Sequence, residues 1–141
     1  MKNRTALGAL VKRIYDSFEK QANSLLRTQD LTMAQFGVLV ELSLTAEKQL
    51  TLKELEQRLH VAQSTTAGIV VRLEQKKLVE CFGDPVDRRI KLVRITAAGE
   101  KRLQYADQDM EATERSMLSA LSAQEQDTLL RLLEKLCSSL P

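Results

Sequence analysis

The chain has 141 residues, 43% of them hydrophobic, and 21 Lys and Arg against 19 Asp and Glu give a net charge of +2. That size suits one compact domain with an ordinary core, and no run approaches the roughly 18 apolar residues that a membrane helix needs. The two cysteines, Cys81 and Cys137, are too few for a disulfide framework and stay free in a reducing compartment.

The opening segment, MKNRTALGALVKRIYDSF, is broken by Lys12, Arg13 and Asp16. It therefore lacks the apolar core of a signal peptide, and a cytoplasmic location with no membrane partner is expected. The same segment starts a helix predicted over roughly 4–28, with Leu7, Leu10, Val11, Ile14, Tyr15 and Phe18 on one apolar stripe. Three helix starts carry a capping box, Thr32 with Gln35, Thr51 with Glu54 and Ser122 with Glu125. In that motif a hydroxyl caps the third residue's N–H while the Glu or Gln side chain reaches back. The second helix follows Thr32 and places Phe36, Leu39, Val40 and Ser43 on one face. The third is short, with Leu52, Leu55 and Leu59 facing inward and His60 at its end, where a cation is favourable. The fourth begins near Ala62 or Gln63 and buries Ile69, Val70 and Leu73.

A strand-like piece, LVECF, a basic turn, GDPVDRR, and a second strand-like piece, IKLVRI, come next. Gly83 and Pro85 are turn formers between them. Thr96 is the expected cap of a fifth helix running to about Leu121, and Ser122 caps a sixth. In the fifth, Leu103, Ala106, Met110, Thr113 and Met117 recur by three and four, the spacing of a helix seam. In the sixth, Leu129, Leu130, Leu132, Leu133, Leu136 and Leu140 spread beyond one narrow face. A helix apolar over so wide an arc is covered on more than one side. A second copy of the chain, related by a two-fold axis, is the simplest cover.

Helix, helix, strand, charged loop, strand is the order of a helix-turn-helix with a β-hairpin wing. The fold class expected is mainly α with that small hairpin. One domain spans 1–141, with a lobe over about 30–98 and dimerisation helices over about 1–28 and 99–141. Residues 50–99 hold nine basic side chains against six acidic, whereas 100–141 hold five against eight. A basic middle beside an acidic tail points to nucleic acid. The first turns of a recognition helix meet base edges. With Ile69 and Leu73 turned inward, Ser64, Thr65, Gly68 and Arg72 lie opposite, flanked by Gln63 and Ala67, and Thr66 is counted with them. Gln63 suits adenine, the hydroxyls suit bases or phosphate, and Arg72 suits phosphate or guanine. The hairpin adds Asp87, Arg88, Arg89, Lys91 and Arg94. An arginine at its tip suits the strong negative potential of a narrow minor groove. Asp87 is repelled by phosphate, so its expected task is to hold an arginine through a charge-assisted pair.

These residues together resemble the MarR family of bacterial winged-helix regulators over nearly the whole chain. The resemblance rests on LTMAQFGVLVEL, on LTLKELEQRLHVAQSTTAGIVVRLEQKKLVE and on DRRIKLVRITAAGEK, with Asp87, Arg89, Ile95, Thr96 and Gly99 at the positions that close the wing. It implies an obligate homodimer with interlocked terminal helices, two lobes on a palindromic site in double-stranded DNA, and a repressor that a small ligand releases. Gln63, Ser64, Thr65 and Arg72 match the family's recognition-helix positions and Arg89 its wing-tip arginine. Three departures stand out. Gly68 replaces a basic or larger polar residue, Ala62 a hydroxyl cap, and Lys77 the glycine that ends the recognition helix, where φ > 0 would strain a lysine.

No cofactor is expected. His60 is the only histidine, and a metal site wants several ligands in register. A small aromatic or anionic effector is the expected signal, in a cleft near Arg13, Tyr15, Phe18 and Phe36. A thiol-based redox sensor using Cys81 or Cys137 is one alternative, and a winged-helix protein-docking module is another. No nucleophile elbow, phosphate-binding glycine loop or paired His/Cys/carboxylate cluster is present, so no enzyme is expected.

Overall fold

The computed structural model describes residues 2–59 and 63–141, without the side chains of residues 2–5, 63 and 64. His60 and Ala62, and the capping roles considered for them, lie outside the described residues. The elements run α1 (Lys2–Leu26), a 3-10 turn (Arg27–Gln29), α2 (Met33–Ser43), β1 (Gln49–Thr51), α3 (Leu52–Leu59), α4 (Gln63–Gln75), β2 (Val79–Gly83), β3 (Lys91–Ile95), α5 (Ala97–Leu118) and α6 (Ala123–Ser138).

All three expected capping boxes form. Gln35 N–H donates to Thr32 Oγ1 at 3.1 Å and Thr32 N–H to Gln35 Oε1 at 3.3 Å. The Thr51–Glu54 pair closes at 3.0 Å in both directions. The Ser122–Glu125 pair closes at 2.9 and 3.1 Å. Thr96 caps α5 through Gly99 N–H. No side chain fits at Gly99, because a Cβ there would collide with the Leu78 carbonyl and lie 2.8 Å from Ile95 Cγ1. The close approach of α5 to the start of the wing demands the glycine.

The hairpin is joined by a third strand that sequence reading missed. β1 pairs antiparallel with β3 (Leu50 opposite Val93), and β2 pairs with β3 on its other side (Cys81 opposite Val93). Three residues are too few for a periodic signal, and the pairing partner lies some forty positions away. The core is Leu26, Val38, Leu39, Leu42, Leu55, Leu73, Leu78, Val79 and Val93, drawn from α1, α2, α3, α4 and the sheet. On α5, Leu103, Ala106 and Thr113 are buried along the expected seam, and α5 packs on α1.

The terminal helices differ. Leu7, Leu10, Val11, Ile14 and Tyr15 of α1 stand exposed, and among the described side chains of that helix only Ala22 and Leu26 are buried. No residue of α6 is buried. The apolar stripe of α1 is thus real but uncovered within one chain.

Candidate nucleic-acid interface

α4 leaves the core through Val70 and Leu73, both buried. Residues on the opposite arc are exposed, namely Thr65, Gly68, Val71 and Arg72. At Gly68 no atom lies within 4 Å of where a Cβ would stand, so the helix backbone is bare at the middle of its outer face. The side chains of Gln63 and Ser64 lie outside the described residues. Thr66 corrects the expectation: it is 0% exposed and faces the core, because it sits four and seven residues before Val70 and Leu73. It cannot reach a base. Val71, 52% exposed, is an apolar neighbour of Arg72 that sequence reading overlooked.

The exit from α4 is a full Schellman turn. Lys77 adopts φ 63°, its N–H donates to Glu74 O at 2.9 Å, and Leu78 N–H returns to Leu73 O at 3.0 Å. The lysine therefore occupies the left-handed position that glycine favours. The strain expected from the sequence is present.

Asp84 and Asp87 build the wing tip. Asp84 Oδ1 accepts from Val86 N–H at 2.8 Å and from Asp87 N–H at 3.1 Å. Asp87 then grips Arg89 twice, with Nε to Oδ1 at 3.0 Å and a terminal nitrogen to Oδ2 at 3.1 Å, and also accepts its N–H at 3.1 Å. The guanidinium bonds, followed by the Arg89 N–H bond, hold the Asp87 carboxyl below the usual carboxylate range. The aspartate thus stays charged at any pH near neutrality. Arg89 remains 92% exposed, held in place but open to a ligand.

Arg88, Arg89, Ile90 and Lys91 face α3 across a groove of about 790 Å³ whose other wall is Thr51, Leu52, Lys53 and Glu56. Lys53, exposed beside the first turn of α3, was not foreseen as a site residue. Its proximity to the wing arises only on folding. Arg88, Arg89 and Lys91 make the wing wall basic, whereas on the α3 wall Lys53 stands with Glu56. Arg94 is a different case. It donates to Gln49 Oε1 at 3.0 and 2.8 Å and stacks over Phe82 at 4.6 Å, so it clamps β1 to the hairpin rather than reaching outward.

The expected effector residues do not converge within one chain. Arg13 lines a groove with Leu10, Ile14, Asp16, Ser17 and Met117. Tyr15 lies two residues on, so it faces away from Arg13, and it bonds Glu19 at 3.1 Å. Phe18 is half-buried, and Phe36 packs against the core from α2. Cys81 is equally unsuited to thiolate chemistry. Burial, and then the charge and hydrogen bond of Glu74, push its thiol up to about 11, whereas reactive cysteines need the opposite shift. Cys137 is exposed on α6. Among the described residues no group of three His, Cys, Asp or Glu side chains is placed to hold a metal, and no helix is long and apolar enough to cross a membrane.

The MarR family model matches residues 29–90. Multiple antibiotic resistance protein MarR of Escherichia coli K12 is 32% identical over 133 residues, covering 92% of this chain and 89% of that protein. The chain belongs to the MarR family. A cysteine-to-serine variant of E. coli MarR, crystallised with operator DNA, superposes with a TM-score of 0.83 at 30% identity and covers 96% of this chain and 94% of that one. BpsR of Bordetella bronchiseptica, whose DNA binding is regulated by 6-hydroxynicotinic acid, gives a TM-score of 0.81 at 28% identity over 95% of this chain and 94% of that one. Transcriptional regulator HosA of E. coli O111:H- is 32% identical over 77 residues, which is 55% of this chain and 57% of that protein. Against HosA, then, the match spans little more than half of either length. As in other solved MarR-family structures, the fold is a winged helix-turn-helix between terminal helices, here with a three-stranded antiparallel sheet.

Proposed function

We propose that this chain is a homodimeric, sequence-specific DNA-binding transcriptional regulator, a repressor that a small aromatic or anionic ligand releases from a palindromic site. The observation that carries the reading is the wing tip. An arginine almost wholly exposed is nevertheless held by two bonds to Asp87. Entering a minor groove then costs less side-chain entropy than it would for a free arginine. The bare arc of α4 at Thr65, Gly68 and Arg72 is the matching major-groove surface, with Gln63 and Ser64 at its start. The two lysines and two arginines along the α3–wing groove supply phosphate contacts, which position a protein without reading sequence. E. coli MarR, which resembles this chain along nearly its whole length, supports the same reading.

The lobe over about 30–98 is the DNA-binding part, and about 1–28 with 99–141 the dimerisation part. Support comes from the many exposed leucines of α1 and α6, since large apolar surfaces left in water mark interaction sites. A two-fold interface covers both helices with one operation. For the effector, the groove beside Arg13 has apolar walls from Leu10, Ile14 and Met117, and a guanidinium pairs well with a carboxylate. The small aromatic acid that regulates BpsR is of that class.

Selection of duplexes from a random pool by the purified chain, followed by gel shifts across a salt series, tests the reading. The expected product is an inverted repeat with half-sites about one helical turn apart, bound less tightly as salt rises. A chain that sediments as a single subunit, or ignores every duplex in dilute buffer, sinks the proposal in favour of a protein-docking module.

A further inference from the structure

One polar cluster outside the groove and the recognition face joins three separate elements. Lys76 directly follows α4. Its ammonium donates to the backbone carbonyl of Asp30 and, at 3.0 Å, to Gln35 Oε1, and it lies 3.5 Å from the Asp30 carboxylate. Asp30 is the elbow between α1 and α2, held at φ 55°. Gln35 is a buried residue of α2, and the same oxygen closes the capping box with Thr32. From the other side, Arg102 of α5 donates to Gln29 O at 2.6 Å. The elbow linking the terminal helix α1 to the lobe is therefore gripped by α5 and by the end of the recognition helix.

Lys76 has little backbone slack. Its N–H donates to Arg72 O at 3.2 Å, and the Schellman turn locks Lys77 and Leu78 behind it. Its side chain is 26% exposed, whereas that of Asp30 is 78% exposed. The carboxylate thus adds little, as exposed ion pairs do, and the carbonyl and the buried Gln35 amide carry the contact. Such bonds are too few to decide whether the lobe folds. They are well placed to decide the angle at which α4 leaves it.

We propose that Lys76 is a positioning residue for DNA binding. It pins α4 to the α1–α2 elbow and so sets how far apart a dimer holds its two recognition helices. The inference rests on the regulator reading above, and the test separates the two.

The variants are Lys76→Met, which removes the donors, and Lys76→Arg, which keeps them. Spin labels at Lys20→Cys on α1 and Gln75→Cys on α4, with Cys81 and Cys137 replaced by serine and the labelled chain diluted with unlabelled, report the angle within one subunit without any DNA. The DNA probe is the duplex that the unaltered chain selects from a random pool, together with the same duplex lengthened by one base pair between half-sites. In Lys76→Met the label distance broadens or shifts. Affinity falls about tenfold, in the range of coupling between linked sites. Discrimination between the two spacings shrinks, the salt slope stays the same, and Lys76→Arg restores all of these. Loss of stability alone would leave spacing preference untouched. A salt slope smaller by about one would make Lys76 a phosphate contact and overturn the proposal. An unchanged label distance overturns it too, as does a changed distance with unchanged affinity and spacing. If the unaltered chain selects no duplex, the regulator reading fails, and the label distance alone then supports or overturns the pin.

Discussion

The lobe and the terminal helices use leucine in opposite ways. In the lobe, Leu39, Leu42, Leu55 and Leu73 are wholly buried among α2, α3, α4 and the sheet. In α6, Leu129, Leu132, Leu133 and Leu136 are 36–50% exposed, and Leu7, Leu10, Val11 and Ile14 of α1 are similarly bare. The same side chain thus serves a core closed within one chain and a surface that lacks its cover. The lobe closes its core within the chain, whereas α6 buries no residue there.

A pair of leucine deletions breaks this comparison most severely. Leu55→Ala opens a cavity in a closed core and should cost about 2–5 kcal/mol of unfolding free energy, whatever the protein concentration. Leu133→Ala should leave dilute protein almost as stable as before but weaken self-association, so that its melting temperature falls only where dimer is populated. Thermal unfolding across a hundredfold range of concentration, beside sedimentation, reads both. Concentration-independent loss in Leu133→Ala would mean that α6 is held by its own chain.

The second largest effect lies on DNA. Arg89→Ala should weaken binding of the selected duplex by about 1–3 kcal/mol if the arginine enters a groove. Asp87→Asn should cost less, since it frees the arginine without removing it. Lobe stability should hardly change in either, because both residues stand outside the core. A gel shift for Arg89→Ala that matches the unaltered chain would remove the wing tip from recognition and leave α4 alone.

What could be read before the fold was known was largely local. The three capping boxes, the strained Lys77 and the Asp87–Arg89 pair all join residues four or fewer positions apart, so each is written in one short window. Thr66 was legible too, since its spacing to Val70 and Leu73 places it on the buried face, and the attraction of a hydroxyl near the helix start hid that. β1, the α3 wall of the basic groove and the Lys76 pin were not legible. Each depends on a partner about forty positions away, and no periodicity signals such a partner. The exposed stripe of α1 was visible as a stripe, but a hydropathy pattern does not say whether the chain itself covers it, and here it stays exposed.

A smaller change sharpens the local side of the comparison. Lys77 pays the left-handed penalty that glycine avoids, roughly 1–2 kcal/mol, partly offset by the greater freedom of glycine in the unfolded chain. Lys77→Gly should raise stability by about 1 kcal/mol, read as a higher urea midpoint at unchanged slope. The Thr96 hydroxyl donates to the Lys77 carbonyl at 2.8 Å, a backbone contact that the substitution keeps. A lower midpoint would assign the lysine side chain a role that outweighs its strained backbone.

The smallest effect separates the two cysteines, one in each region. Burial raises the Cys81 thiol first and Glu74 adds to it, giving about 11, so the neutral form is favoured in the folded lobe. The sign follows: the folded state holds this proton more tightly than the unfolded one, and the stability linked to it is present below the ordinary thiol range and lost as pH rises through the folded value. At pH 8 the thiolate fraction is roughly a hundredfold below that of an ordinary thiol. Alkylation by iodoacetamide, followed by intact mass and peptide mapping, should therefore modify exposed Cys137 first. Labelling of Cys81 should accelerate steeply only as pH approaches its folded value, and earlier in Glu74→Gln, which removes the neighbouring charge. Rapid labelling of Cys81 at pH 8 in folded protein would mean that the lobe opens at β2, against the closed core assigned to it, and would return that thiol to the candidates for redox sensing.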